Sequence, residues 1–146
     1  MAIRKLSKAE FESLANFRYR LRRFLRFSEE VTRRHGVTPL QYQLMLQLKG
    51  FPGRDWASVG ELAERLQAKH HGVVALVSRC EAAGLVTRTT GANDQRRVEV
   101  RLTATGLHCL EQLARLHRDE LQSVAGEFVV PGFDAAEVAR TVTPPR

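Results

Sequence analysis

Apolar side chains recur every three or four residues along most of the chain, and this spacing predicts helices with one buried face. The predicted helices cover residues 8–34, 39–49, 59–66, 70–83 and 104–124, followed by a short last helix from Asp134 that ends before Pro144. The apolar face of the first helix, which is a seam that needs a partner, is formed by Leu14, Phe17, Leu21, Phe24 and Val31. The apolar faces of the next four helices are formed by Leu40, Leu44, Met45 and Leu48; by Leu62, Ala63 and Leu66, which are expected to lie inward; by Val73, Leu76, Val77 and Cys80; and by Leu107, Leu110, Ala114, His117, Leu121 and Val124. At about 1.5 Å per residue the first helix is about 40 Å long, so we expect another subunit to cover part of it.

Three helix starts carry the same local signal. The segments Ser7–Glu10, Thr38–Gln41 and Ser58–Glu61 each place a hydroxyl residue three positions before Glu or Gln. In such a capping box, the two side chains satisfy backbone N–H groups that the first turn leaves unpaired. Pro39 supports the second start, because its fixed φ suits the first helical position.

Between the fourth and fifth helices the period changes from 3.6 to 2. Residues 86–90 and 98–102 alternate in a way that predicts two strands, and residues 91–96 between them are rich in turn formers. Gly84 lies where a helix ends on a left-handed residue, and Trp56-Ala57 is a candidate short strand before the third helix. The chain is therefore predicted to be mainly α with a small β-hairpin.

Composition and charge narrow the class of protein. Hydrophobic residues make up 43% and charged residues 27%, as in folded proteins, and no apolar stretch resembles a membrane span or a signal peptide. The net charge is +7, and residues 1–35 carry ten Lys or Arg against four Asp or Glu, which suits a polyanionic partner. Neither a disulfide framework nor a nucleophile–base pair nor a phosphate loop is recognisable. We expect a reduced, cytoplasmic, non-enzymatic protein without a cofactor.

The third and fourth helices form a candidate helix-turn-helix, in which the fourth helix would enter the DNA major groove. The residues predicted to face the groove are Lys69, His70, His71, Gly72, Ala75 and Arg79. Small residues allow close approach, and imidazoles can donate to phosphate or guanine. A metal site at His70-His71 is the weaker alternative, because adjacent helical residues point about 100° apart and a good third ligand is missing nearby.

The hairpin offers a second contact. Arg96 at its tip would enter the minor groove, where a narrow A·T-rich geometry favours guanidinium, and Asp94 could pair with Arg96 and fix its direction. Arg88, Arg97 and Arg101 are candidates for phosphate contacts. The alternative is an ordinary solvated hairpin with Asp/Arg turn chemistry.

From Val37 to Val124 the chain resembles the MarR family of bacterial transcription regulators. The resemblance rests on the order of several short motifs, namely Thr38-Pro39, 61–63 (ELA), 81–88 (EAAGLVTR), 94–96 (DQR) and 102–106 (LTATG). It implies a winged helix-turn-helix (residues 37–103). From its length of 146 residues, the chain is expected to form a single domain. The resemblance also implies a homodimer held by helices within 8–35 and 104–146, and the pair Asp94 and Arg96 as wing residues. The start of the fourth helix departs from the family's Ser/Thr-rich pattern.

The family further implies repression relieved by a small aromatic ligand, bound between the dimer helices and the winged region. Candidate lining residues are Phe24, Phe27, His35, Tyr42, Met45 and Trp56, although such residues at helical spacing are often core. Cys80 and Cys109 are expected to be structural thiols rather than redox sensors. We therefore predict a homodimeric DNA-binding repressor of a pseudo-palindromic operator, with a protein–protein interaction module lacking a DNA partner as the alternative.

Overall fold

The computed structural model describes residues 2–91, 94 and 96–132. Its elements in chain order are α1 (Lys8–Arg34), α2 (Pro39–Lys49), β1 (Trp56–Ala57), α3 (Val59–Leu66), α4 (His70–Ala82), β2 (Val86–Thr90), β3 (Val98–Leu102), α5 (Ala104–Ser123) and a 3₁₀ turn (Ala125–Glu127). The predicted helices and strands are confirmed, with α4 and α5 each ending one residue early. The 3₁₀ turn was not predicted, and the predicted last helix from Asp134 lies outside the described residues.

The chain divides into two compact units, one formed by residues 1–27 and 119–146 and the other by residues 28–118. In the first unit, the Phe17 and Phe128 rings meet edge to face with centroids 5.7 Å apart. An Arg20 guanidinium nitrogen lies 2.8 Å from a Glu127 carboxylate oxygen. These contacts join the N-terminal part of α1 to the 3₁₀ turn within this unit.

The capping boxes expected from the sequence are present. At the start of α1, the Ser7 N–H donates to Glu10 (2.7 Å) and the Glu10 N–H to the Ser7 hydroxyl (3.2 Å). Arg4 also bonds to Glu10, and chiefly through that contact the pKa of the Glu10 carboxyl falls to about 2. The Thr38–Gln41 box opens α2 in the same way, and Ser58–Glu61 opens α3.

The core lies in the second unit, residues 28–118. Its fully buried side chains include Leu44, Met45, Leu48, Leu62, Val73, Val77, Cys80, Val86, Val100 and Leu113. One prediction about this core is wrong: Leu40 is 48% exposed, and Tyr42 is the buried residue in that turn of α2. Leu40 is the second residue of α2, in the first turn of the helix, and its side chain remains in solvent.

The three strands form an antiparallel sheet in the order β1-β3-β2. In the predicted hairpin, Val86 lies opposite Leu102, Arg88 opposite Val100 and Thr90 opposite Val98. The structure adds the pairing of β1 with β3, where Trp56 lies opposite Arg101. The connection from α2 is thereby fixed to the base of the hairpin.

A tight junction connects the end of α4, the start of β2 and the start of α5. Gly84 adopts the expected left-handed conformation (φ +76°). The Thr103 hydroxyl donates to the Gly84 carbonyl (2.6 Å) and accepts from the Gly106 N–H (2.9 Å), while the Thr103 N–H donates to the Leu85 carbonyl (3.0 Å). Thr103 is thus the cap of α5, as predicted, and also the anchor of the hairpin.

A buried polar cluster surrounds His117. Its Nδ1 lies 2.7 Å from the Leu113 carbonyl oxygen, and its Nε2 lies 2.8 Å from the Ser28 hydroxyl. Because a carbonyl only accepts, Nδ1 donates to Leu113, and Nε2 shares a hydrogen bond with the Ser28 hydroxyl. The Tyr42 ring stacks on the imidazole at 4.2 Å. This cluster ties α1, α2 and α5 together within the second unit.

Candidate nucleic-acid interface

The turn between α3 and α4 sets the geometry of a helix-turn-helix. It follows Gln67, which ends α3 in a left-handed conformation (φ 50°) that non-glycine residues seldom adopt. The Gln67 N–H and side-chain amide both donate to the Glu64 carbonyl, and the Ala68 N–H donates to the Ala63 carbonyl. These hydrogen bonds stabilise the sharp change of direction that leads into α4.

The two faces of α4 differ sharply. Val73, Leu76, Val77 and Cys80 are buried, as the sequence predicted. The residues that the sequence placed towards DNA are all exposed, namely Lys69, His70, His71, Gly72, Ala75 and Arg79. Within the described part of the chain, no ion pair engages the cationic side chains Lys69 and Arg79. The outer face of α4 is therefore solvent-exposed and basic, and at Gly72 and Ala75 it carries no large side chain.

At the hairpin tip, the Asp94 carboxylate accepts a hydrogen bond from the backbone N–H of Arg96 (2.9 Å), and the Asp94 carbonyl accepts from the N–H of Arg97 (3.1 Å). The expected pairing of Asp94 with Arg96 thus occurs through the main chain rather than the guanidinium. Among the residues that the structure describes, the Arg96 guanidinium has no partner, and the residue is exposed. Residues 92, 93 and 95 of the predicted turn lie outside the described residues.

The other arginines of the hairpin are paired with carboxylates. These ion pairs were not predicted from the sequence. Arg88 bonds to Glu81 at 3.1 Å and thereby lowers the pKa of that carboxyl. Arg97 and Arg101 both bond to Glu99, at 3.1 and 2.9 Å. The contacts of Arg97 and Arg101 with Glu99 could have been predicted, because alternate residues of a strand lie on one face. Phosphate contacts by Arg88, Arg97 and Arg101 stay predictions. In each of them, the phosphate would have to share the guanidinium with the carboxylate that already binds it.

Trp56 lies at the base of the hairpin with two guanidinium groups over its ring. The Arg54 guanidinium carbon is 3.8 Å from the ring centroid and that of Arg97 is 4.6 Å away. Arg54 also pairs with Glu61 of the α3 capping box. From the sequence, Trp56 is predicted to lie in a short strand and to line an effector pocket. Its contact with Arg97 was not predicted, because Arg97 is distant in sequence.

The proposed effector-pocket residues lie in different surroundings. In the second unit, Met45 is fully buried, Tyr42 stacks on His117, and His35 is exposed with its Nδ1 2.9 Å from the Val31 carbonyl oxygen. Phe24 and Phe27 are half-buried on the part of α1 that belongs to the first unit. The assignment of these five residues, together with Trp56, to a ligand pocket stays a prediction.

Both cysteines lie in surroundings that disfavour the thiolate. Cys80 is buried, and burial raises the pKa of its thiol to about 11; burial also raises the pKa of the Cys109 thiol. Among the described residues, no group of three His, Cys, Asp or Glu side chains could hold a metal ion. In the same part of the chain, no helix is long and apolar enough to cross a membrane.

A helix-turn-helix followed by an antiparallel hairpin defines a winged helix-turn-helix protein. Residues 35–97 match the model of the MarR family. The winged helix-turn-helix region of this chain is therefore similar to the MarR family of regulators.

Two curated relatives match part of the chain. A stretch of 90 residues is 29% identical to the proposed transcriptional regulatory protein for the hcr operon of Thauera aromatica, covering 62% of this chain and 52% of that protein. A stretch of 77 residues is 32% identical to the HTH-type transcriptional repressor MdtR of Bacillus subtilis, covering 53% and 48%. The chain spans about half the length of these relatives.

Solved structures share the fold over most of the chain. AbsC, a MarR family transcriptional regulator from Streptomyces coelicolor, has a TM-score of 0.75 at 22% identity, covering 97% of this chain and 95% of that one. A MepR variant of S. aureus bound to an oligodeoxyribonucleotide has a TM-score of 0.63 at 18% identity, covering 94% and 91%. NadR in complex with 4-hydroxyphenylacetate has a TM-score of 0.67 at 19% identity, covering 85% and 83%. At these identities the likeness shows the fold.

Proposed function

We propose that this protein is a sequence-specific DNA-binding transcriptional regulator that acts as a homodimeric repressor on a pseudo-palindromic operator. The observation that carries the proposal is the open basic face of α4 in the same compact unit as a hairpin tip that exposes Arg96, whose guanidinium has no partner among the residues that the structure describes. A groove-reading helix and a minor-groove arginine form the two contacts of a winged helix on DNA. The MepR variant supports the proposal, because its structure contains an oligodeoxyribonucleotide.

The face of α4 is suited to close backbone approach. Nothing lies within 4 Å of the position that a Cβ at Gly72 would occupy, so this part of the helix surface is open. The Ala75 methyl group can contact thymine methyls, while His70, His71 and Arg79 can donate to bases or phosphates. Few of these groups can form two hydrogen bonds to one base. We therefore expect phosphate contacts and the hairpin arginine to supply much of the affinity for DNA.

A second copy of the chain is the proposed partner for the apolar residues left in solvent. Leu14 and Leu25 on α1 are 46% and 49% exposed, and Leu121 on α5 is 43% exposed. Long helices with exposed leucines are a common basis for homodimers, and a two-fold dimer reads inverted half-sites about ten base pairs apart. The proposal of repression rests on the relative MdtR, which is a repressor.

The first experiment is selection from a random duplex pool at near-physiological salt, followed by anisotropy titration of the enriched sequence. The proposal predicts an inverted repeat and an affinity that falls steeply with salt, because bound phosphates release counterions. Arg96→Ala should weaken binding by about 1–3 kcal/mol, mostly at A·T-rich flanks. The matched control is Arg115→Ala, which removes an exposed arginine from α5, remote in sequence from the hairpin.

The same titration separates the alternative, a winged helix that binds another protein. Val74 on α4 is 38% exposed, and an apolar side chain in this position would also suit a protein interface. Weak, sequence-indifferent and salt-insensitive DNA binding would contradict the proposed function and favour this alternative. An aromatic effector is proposed from the NadR complex, and 4-hydroxyphenylacetate is the first compound to test for release of bound DNA.

A further inference from the structure

Arg97 is held from several sides, unlike its neighbour Arg96. Its guanidinium lies over the Trp56 ring at 4.6 Å and bonds to Glu99 at 3.1 Å. The Glu99 side chain is only 9% exposed, whereas that of Arg97 is 40% exposed, so the guanidinium is held at the surface by a largely buried carboxylate. A Cβ at Gly91 would lie 3.0 Å from Arg97 Nε, which means that the absence of a side chain there leaves space for the guanidinium.

The main chain of Arg97 is fixed as well. Its carbonyl accepts from the Gly91 N–H at 2.7 Å, and its N–H donates to the Asp94 carbonyl at 3.1 Å. Both bonds close the hairpin directly beside Arg96. Any movement of the Arg97 side chain therefore acts on the backbone from which Arg96 projects.

Trp56 connects this closure to the helix-turn-helix. The Arg54 guanidinium also lies over the indole, at 3.8 Å, and Arg54 pairs with Glu61. The other oxygen of Glu61 accepts from the Ser58 N–H (3.0 Å) in the box that starts α3. A continuous series of contacts thus runs from the first turn of α3, through Trp56, to the hairpin beside Arg96.

We propose that Trp56 and Arg97 are positioning residues that direct Arg96 into the minor groove. This inference rests on the proposed DNA-binding function. It adds the identity of the side chains that determine how the hairpin presents Arg96. A two-stranded ribbon alone is marginally stable, and each arginine has many rotamers, so an unsupported wing would lose entropy on binding. Fixing the base of the ribbon before binding reduces that cost, and Arg97 serves DNA recognition without contacting a base.

The test is a double-mutant cycle between Trp56→Leu and Arg96→Ala, titrated on the selected operator with A·T-rich or G·C-rich flanks. Trp56→Leu should weaken binding to the A·T-flanked duplex by about 3- to 30-fold, the range expected for lost cation–π contacts, and should change G·C-flanked binding less. In the Arg96→Ala background it should have no further effect, because the residue it positions is gone.

Two further variants distinguish a loss of positioning from a general loss of folding. Gly91→Ala places a Cβ 3.0 Å from both Arg97 Nε and the Asp94 carbonyl oxygen, which crowds the guanidinium and the hairpin closure without removing Arg97. It should reproduce the loss of A·T preference. Tyr19→Leu is the matched control, because it removes an exposed aromatic ring that also lies near two guanidinium groups, those of Arg20 and Arg23, but on α1. It should leave the A·T preference unchanged.

The outcomes are distinct. If the losses from Trp56→Leu and Arg96→Ala multiply, or if Trp56→Leu leaves the A·T preference intact, the positioning role is refuted while the proposed function stands. If the unmodified protein itself binds no duplex in a salt-dependent way, the proposed function fails. A coupled loss, reproduced by Gly91→Ala and absent from Tyr19→Leu, supports the positioning role.

Discussion

Gly106→Ala is expected to destabilise the protein, although alanine is the better helix former. Gly106 is buried in the first turn of α5, where a Cβ would lie 2.9 Å from the Leu85 carbonyl carbon, 3.1 Å from its Cα and closer still to its carbonyl oxygen. These atoms cannot move aside easily, because the Leu85 carbonyl accepts the Thr103 N–H and the Thr103 hydroxyl bonds to Gly84. Relief of the clash must separate α5 from the start of the hairpin.

The magnitude follows from two opposing terms. Overpacking in a closed site costs about 1–3 kcal/mol, and a backbone neighbour places this case at the upper end. Alanine in a helix offsets about 0.5–1 kcal/mol of that cost. We therefore expect the free energy of unfolding to fall by about 2 kcal/mol.

Gly72→Ala is a matched control from the same protein. Gly72 is also the third residue of its helix, but nothing lies within 4 Å of its Cβ position, so alanine should raise the free energy of unfolding by about 0.5–1 kcal/mol. Urea unfolding followed by circular dichroism, at one fixed protein concentration, measures both. For Gly106→Ala the midpoint should fall by about 1 M. A midpoint at or above the unmodified value, or an equal loss in Gly72→Ala, would refute the steric explanation.

Three further predictions concern other sites. Arg96→Ala should leave urea stability within about 0.5 kcal/mol while weakening DNA binding, and an equal loss of stability would contradict a purely DNA-facing role. Because burial raises the thiol pKa of Cys80 to about 11 and that of Cys109 in the same direction, both should react slowly with iodoacetamide at pH 8, faster as pH rises, and at once in denaturant. Rapid modification of the folded protein, followed by mass spectrometry, would show that they are exposed. His117→Ala should lower the free energy of unfolding by about 2–4 kcal/mol in the urea assay, since it leaves the Ser28 hydroxyl unpaired and a cavity beside it; a change below about 1 kcal/mol would contradict that cluster's role.

The bounds of the helices and strands could be predicted because their signals are local. Capping boxes, glycine at the end of α4 and the change of period from 3.6 to 2 each involve residues within a few positions of one another. The same local reasoning was wrong at Leu40, because it took every apolar residue near the right spacing as inward. Which apolar residues contact α3 and α4 depends on how the helices pack, and that is decided between segments distant in sequence.

The candidate interface was predictable only in part. The sequence identified the exposed face of α4, because the apolar residues mark the buried face and the remaining residues must face solvent. It also identified the arginine at the hairpin tip. It did not identify the Glu81 partner of Arg88, because that ion pair joins a helix to a strand seven residues later. Nor did it identify the guanidinium groups over Trp56, of which that of Arg97 comes from the hairpin that β1 joins by pairing with β3.

The sequence by itself determined where the elements begin and end, which face of each helix is apolar and where positive charge is concentrated. Only the tertiary structure decided which of those charges remain available. Arg88, Arg97 and Arg101 each meet a carboxylate, while Arg96, at the same hairpin, meets none within the described residues. The physical reason is that an ion pair requires approach within about 4 Å, and strand register and helix packing set that distance.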